Sequence, residues 1–137
     1  MNTKKTQDYW VGQAGEQAVS QWLQARGWQI RHHRWRCRGG ELDLIATQGQ
    51  QLVFVEVKTR RAFNWDERGL LSITPTKQQR LWRAAETFLA HFPQYQNWPC
   101  RFDLALVSYR GTVASNPTPE QAAAQFVVKD YIEGILS

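Results

Sequence analysis

At 137 residues the chain has room for one domain around one core, and a two-domain enzyme does not fit in it. Its 17 Lys and Arg against 12 Asp and Glu leave a net charge of +5, which favours polyanionic partners, nucleic acid first. Hydrophobic residues make up 42%, with seven Trp, six Phe and four Tyr, so wholesale disorder is excluded. Cys37 and Cys100 stand alone, without the spacing of a zinc site or a disulfide framework. Residues 1–8 lack the apolar stretch of a signal peptide, and no window approaches the ~18 apolar residues of a membrane span. A reduced, cytoplasmic setting with no membrane partner is expected.

From Tyr9 to Arg26, the recurrence of Ala14, Ala18 and Trp22 beside Val11, Val19 and Leu23 predicts a helix, stopped by Gly27. Trp28 to His33 reads as a first strand, and Arg34 to Gly40 as an exposed turn or strand edge. Glu41 to Thr47 and Leu52 to Thr59 read as two strands, and Gly49-Gln50 between them suits a two-residue turn with glycine leading. Residues 60–73 read as an irregular loop. Thr74-Pro75 caps and starts a helix to about His91, with Leu81, Ala84, Ala85, Phe88 and Leu89 inward, and Phe92-Pro93 ends it. Arg101 to Tyr109 is a further strand. Beyond it, Thr118 to Gln121 has the signature of a helix start, Phe126 to Val128 of a strand, and Tyr131 to Leu136 of a final helical turn. This order implies an α/β fold, a mixed sheet flanked by helices.

The hairpin carries the chemistry. Directly opposed residues around a Gly49-Gln50 turn have numbers that sum to 99, which sets Asp43 against Glu56 and Glu41 against Lys58. Val53, Val55 and Val57 then share the other face, and a slip by one residue would exchange the charged set for the valines. Two ionised carboxylates about 5 Å apart at an effective dielectric of about 20 repel by roughly 3 kcal/mol. A proton or a cation must therefore sit between them. An all-oxygen pair without His or Cys suits Mg2+ or Mn2+ rather than Zn2+. Such a metal beside a lysine, in a basic protein, suits hydrolysis of a phosphodiester.

Asp43 followed by Glu56-Val57-Lys58 resembles the signature of the PD-(D/E)XK nuclease superfamily. More narrowly, Gly15-Glu16, Gly40-Glu41-Leu42-Asp43-Leu44-Ile45-Ala46, Val53 to Arg60, Thr74 with Lys77, and Arg101-Phe102-Asp103 resemble the bacterial YraN-type family, itself similar to archaeal Holliday-junction resolvases. The resemblance spans residues 8–109 and implies a restriction-endonuclease-like mixed central sheet flanked by helices, with residues 1–137 as one nuclease-like domain. It implies a metal-dependent endonuclease acting on nucleic acid, with DNA, branched or junction forms included, favoured over RNA. Carried over by position, Asp43 and Glu56 match the metal-binding carboxylates, Lys58 the catalytic lysine, and Glu16 the first-helix acid that completes the metal site. Leu42 stands where the superfamily has its proline, and Arg34 where YraN-type sequences have asparagine.

Other basic residues admit two readings each. Arg34, Arg36 and Arg38 around Trp35 form either a phosphate-tracking strip with a stacking aromatic or a charge-protected edge with the tryptophan folded inward. Arg60, Arg61 and Arg68 leave the motif strand from its charged face and are the stronger phosphate candidates. Lys77, Arg80 and Arg83 form either a second basic stripe or a solvated helix face. Glu41 is read as a cross-strand partner of Lys58 in preference to an acid supporting the metal ligands, and His32, His33 and His91 are not read as ligands. The alternative to a nuclease is a catalytically inactive nucleic-acid-binding module on the same scaffold. Paired cuts at a junction would call for two sites, hence for a homodimer.

Overall fold

The computed structural model describes residues 3–62 and 73–136. Amphipathic and alternating segments become α1 (Thr3–Ala25), β1 (Gln29–Cys37), β2 (Gly40–Gln48), β3 (Gln51–Arg61), α2 (Pro75–His91), β4 (Cys100–Tyr109), α3 (Pro119–Gln125) and β5 (Phe126–Ile132), with a 3-10 turn at Pro93–Tyr95. The five strands form one mixed sheet in chain order. β1, β2 and β3 are antiparallel, β3 and β4 are parallel, and β5 returns antiparallel on β4.

The hairpin has the register read from the turn. Gln48 pairs with Gln51, and the ladder runs in step to Leu44 opposite Val55. Gly49 adopts φ 58°, a left-handed conformation that favours glycine and that a glycine-leading hairpin turn requires. The helix α2 likewise occupies the residues expected, because its start is fixed locally. The Thr74 hydroxyl accepts the Lys77 N–H, and Pro75 fills the first turn.

Alternation along the strands divides the core in two. Leu44, Ala46, Val53, Val55, Ala105 and Val107 face α1, meeting Val11, Ala14, Ala18, Val19 and Leu23. Ile45, Leu52, Phe54 and Phe102 face α2, where Phe88 is fully buried against Phe54 and Trp35. Burying a side chain such as Phe88 contributes about 1.5–3 kcal/mol. Trp35 therefore packs, partly buried, on the α2 core, folded inward from the arginines beside it.

Three local expectations are corrected, and one that left two readings open is decided. The first helix begins at Thr3 rather than Tyr9. Arg34 to Cys37 continue β1, the edge strand of the sheet, which is the second of the two readings given for them and leaves only Arg38-Gly39 as the turn into β2. Arg60 and Arg61 extend β3, paired with Ser108 and Tyr109; Arg68 lies outside the described residues. The final segment from Tyr131 is the end of β5 followed by irregular chain, not a helical turn.

Asp103 explains that last difference. Its carboxylate, wholly buried in β4, accepts from Arg101 Nε at 3.0 and 3.1 Å, from the Tyr131 hydroxyl at 2.6 Å and from the Gly134 N–H at 3.0 Å. Ile135 N–H adds a bond to the Phe102 carbonyl. Long-range polar contacts thus take the donors that a local turn would use. Burial, then the hydrogen bond to Asp103, holds the Tyr131 phenol far above its ordinary pKa. Tyr131→Phe removes one bond to a charged acceptor, and thermal unfolding is expected to show a loss of about 2 kcal/mol.

Candidate active site

The sheet opens where the acids sit. Ladder pairing between β2 and β3 runs as far as Leu44 and Val55. One residue further, the Asp43 carboxylate takes the place of a backbone carbonyl, with Oδ2 accepting the Val57 N–H at 2.8 Å. Asp43 therefore points along the sheet, into the gap between two strands, and lines a cleft on each side. The α1 side holds about 470 Å³ and is lined by Asp8, Gly12, Glu16, Lys58, Arg60 and Arg61, among others. The α2 side holds about 480 Å³, lined by Glu41, Glu56, Thr74, Lys77 and Arg80, among others.

The two carboxyls expected to oppose each other do meet. Burial first, then the charge of Glu56, raises the Asp43 carboxyl to about 8 against the lowering effect of the Val57 N–H, and a hydrogen bond joins the two acids. Near neutral pH that bond holds a proton, which answers the repulsion anticipated from the register.

Two lysines complete this centre. Lys77 Nζ lies 2.7 Å from Glu56 Oε1, and Lys58 Nζ lies 3.8 Å from the same oxygen. Burial, then the hydrogen bond and charge of Lys77, pushes the Lys58 ammonium down to about 8. Burial opposes charge on Lys77 too, but its bonds to Glu56 and Lys58 prevail and hold it above the ordinary lysine value. Lys77, read from the sequence as a phosphate contact, is thus the ion-pair partner of Glu56. Its position, one helical turn after a Thr-Pro cap, left a signal in the sequence for the helix but none for the partner.

Glu16 reaches the cleft because α1 packs tightly on β3. A Cβ on Gly15 would fall 2.1 Å from Thr59 Oγ1 and 3.1 Å from Thr59 Cβ, so glycine sets the approach of the helix. Threonine is β-branched and its Cβ cannot swing away. Gly15→Ala is expected to cost about 1–3 kcal/mol by overpacking. It is also expected to displace Glu16, with a chemical-shift change at Asp43 in carboxyl-detected spectra as the measurement. Glu16 does not join Asp43 directly. Both its oxygens accept from Arg34 Nε, at 2.6 and 3.0 Å, while burial raises its pKa against that partner.

The remaining candidates divide by location. Arg60 and Arg61 line the α1-side cleft. Arg61 donates to the Gly111 carbonyl at 3.2 Å and lies over the Tyr109 ring. Arg36 is largely exposed and pairs with Glu41 at 3.5 Å, its cross-strand neighbour. Glu41 is therefore the partner of Arg36 and not of Lys58, because Arg36 stands opposite it in the β1–β2 ladder. Arg38 is exposed at the hairpin tip, whose Gly39 and Gly40 lie against Arg83 and Arg80 of α2. Among the described residues, no three His, Cys, Asp or Glu side chains gather closely enough to hold a metal ion by themselves. Magnesium needs only one or two carboxylates, the rest of its shell being water and phosphate oxygens, and the Asp43–Glu56 pair fits that requirement.

This arrangement, two neighbouring carboxyls and two lysines at an opening in a mixed sheet, with arginines on both sides, defines a class: a small α/β protein with a charged cleft where two central strands part. Residues 15–107 match the model of the uncharacterised protein family UPF0102, and the chain belongs to that family. A UPF0102 protein of Synechococcus sp. (strain JA-3-3Ab) is 45% identical over 131 residues, 96% of this chain and 94% of the relative. One from Acaryochloris marina is 41% identical over 157 aligned positions, 95% and 91% of the two chains. One from Thermosynechococcus vestitus is 50% identical over 101 residues, 73% and 82%. Among the described residues no helix is long and apolar enough to cross a membrane.

Proposed function

We propose that the protein is a metal-dependent endonuclease of the PD-(D/E)XK type, with a restriction-endonuclease-like fold. The observation that carries this reading is the meeting of two carboxyls, Asp43 and Glu56, where the β2–β3 ladder parts, with Lys58 beside Glu56 and an open cleft on each side. Asp43 and Glu56 would hold Mg2+ or Mn2+, which when bound supplies a Lewis acid for a phosphate oxygen and an acidified water. Lys58 donates to the phosphate oxygen on which charge develops, and Lys77 orients Glu56 through their ion pair. Arg60 and Arg61 on one side of Asp43, with Arg80 on the other and Arg36 and Arg38 at the hairpin beyond it, follow the nucleic-acid backbone. DNA is the favoured substrate, through the resemblance to junction resolvases. Cleavage of both strands at a junction then requires a homodimer. The free thiols Cys37 and Cys100 suit work in the cytoplasm.

The test is a panel of single-stranded, duplex, flap and four-way DNA incubated with Mg2+ or Mn2+, wild type beside Glu56→Gln. Cleavage by the wild type alone is expected. Equal cleavage by both proteins would overturn the assignment. A second reading, binding without cleavage, draws on the protein partners that Glu16 and Glu56 already have in Arg34 and Lys77. It predicts retention of DNA that falls steeply with salt and ignores divalent metal.

A further inference from the structure

Arg34 sits on β1 between two residues paired with β2, His33 opposite Leu44 and Trp35 opposite Leu42, and so stands beside Asp43. Its backbone is left-handed, φ 48°, a conformation that an arginine adopts at a cost and an asparagine adopts more readily. A residue kept in such a conformation invites a functional account. The side chain reaches back to α1, where Nε alone makes both contacts to Glu16. Gly12 makes room for the rest, since a Cβ there would lie 3.3 Å from Arg34 Nη2. The guanidinium carbon is 5.2 Å from the ring of Tyr9, which is 49% exposed.

Arginine carries five N–H donors in a fork that matches a phosphate, and only Nε is used. Among the described residues no acceptor takes the two Nη groups. Arg34 itself lines a cleft of about 300 Å³ that shares Glu16 with the α1-side cleft at Asp43 and is also lined by Tyr9, Gln13, Gln17 and His33. One cation thus links the first-helix acid to an open cleft with an aromatic face beside it.

We propose that Arg34 is a substrate-responsive latch: a backbone phosphate of a nucleic-acid strand entering this cleft binds the guanidinium, draws it off Glu16, and frees that carboxylate toward Asp43 and Glu56. The phosphate contact stands on the geometry of Arg34 alone, whereas the use made of the freed Glu16 rests on the nuclease reading. Arg34 is a positioning residue for Glu16 and a binding residue for the strand. The two roles compete for one side chain, so substrate binding and completion of the acid site are coupled.

The competition can be measured without metal. A labelled single-stranded decadeoxynucleotide is titrated in EDTA against wild type, Arg34→Asn, Glu16→Gln and the double variant, each checked by thermal unfolding; Asn keeps the left-handed backbone. Arg34→Asn is expected to weaken binding about tenfold and to lower the salt slope by about one. Glu16→Gln is expected to tighten it severalfold by releasing the latch, and that gain is expected to vanish in the double variant. A merely structural ion pair would give no such coupling, and the loss of one acid from the surface would give a gain that persists without Arg34; either result overturns the latch. Mn2+ binding followed by electron paramagnetic resonance, with the cleavage panel above, tests the nuclease reading separately. A protein that shows the coupling but binds no Mn2+ keeps the phosphate contact and loses the nuclease.

Discussion

Asp43→Asn is expected to make the metal-free protein more stable at pH 8 while abolishing metal-dependent cleavage. The folded carboxyl holds its proton to about pH 8, whereas in the unfolded chain it ionises near 4. Below pH 4 both states carry the proton, and its contribution to stability is complete. Between 4 and 8 the unfolded state releases the proton and the folded state keeps it, so stability falls with rising pH, by up to about 1.4 kcal/mol per unit. Above 8 the contribution is gone and two neighbouring carboxylates repel. Asparagine removes this slope, keeps an oxygen for the Val57 N–H and can donate its amide to Glu56. The variant is expected to gain up to about 5 kcal/mol at pH 8 and almost nothing at pH 4, read from thermal unfolding at the two values. On the nuclease reading, Mg2+ stabilises the wild type and not the variant. Cleavage by the variant falls at least about 1,000-fold. A variant less stable than the wild type at pH 8 would show that Asp43 is ionised and already compensated there.

The hairpin was legible because two local constraints agree on it. A glycine-leading two-residue turn sets which residues oppose each other, and the valines of β3 set which face is buried, so Asp43 and Glu56 are brought together from sequence alone. The start of α2 was legible for the same reason, through the Thr74 cap and Pro75. Partner choice among the long charged side chains was not. Glu41 pairs with Arg36, Glu56 with Lys77 and Glu16 with Arg34, and in each case geometry beyond the hairpin decides. The β1–β2 register sets the first, the docking of α2 the second, and the close approach of α1 at Gly12 and Gly15 the third. The sideways turn of Asp43 into the ladder is hidden for a different reason. Side-chain alternation describes faces of a sheet and has no symbol for a carboxylate that replaces a carbonyl. At the C-terminal end, residues with local helical character were captured by Asp103, a contact spanning 28 and 31 residues to Tyr131 and Gly134.

The two lysines at Glu56 are expected to behave differently when each is removed, although both carry the same charge. Glu56 bonds Lys77 at 2.7 Å and leaves Lys58 at 3.8 Å, so Lys58 is the ammonium free to turn toward a phosphate. Burial and the cation beside it hold Lys58 near pKa 8, poised between charged and neutral forms at physiological pH. Lys58→Met removes the donor itself, and the cleavage rate is expected to fall by about 100- to 1,000-fold with little change in DNA affinity. Lys77→Met removes the partner of Glu56 and the cation that depresses Lys58. Glu56 then turns to Lys58, whose pKa moves up toward the ordinary lysine value. The alkaline limb of the pH–rate profile is expected to shift to higher pH in Lys77→Met and to be absent from the residual activity of Lys58→Met. Profiles of Lys77→Met and wild type that superimpose would mean that Lys58 takes its pKa from burial alone and that Lys77 serves only to hold Glu56.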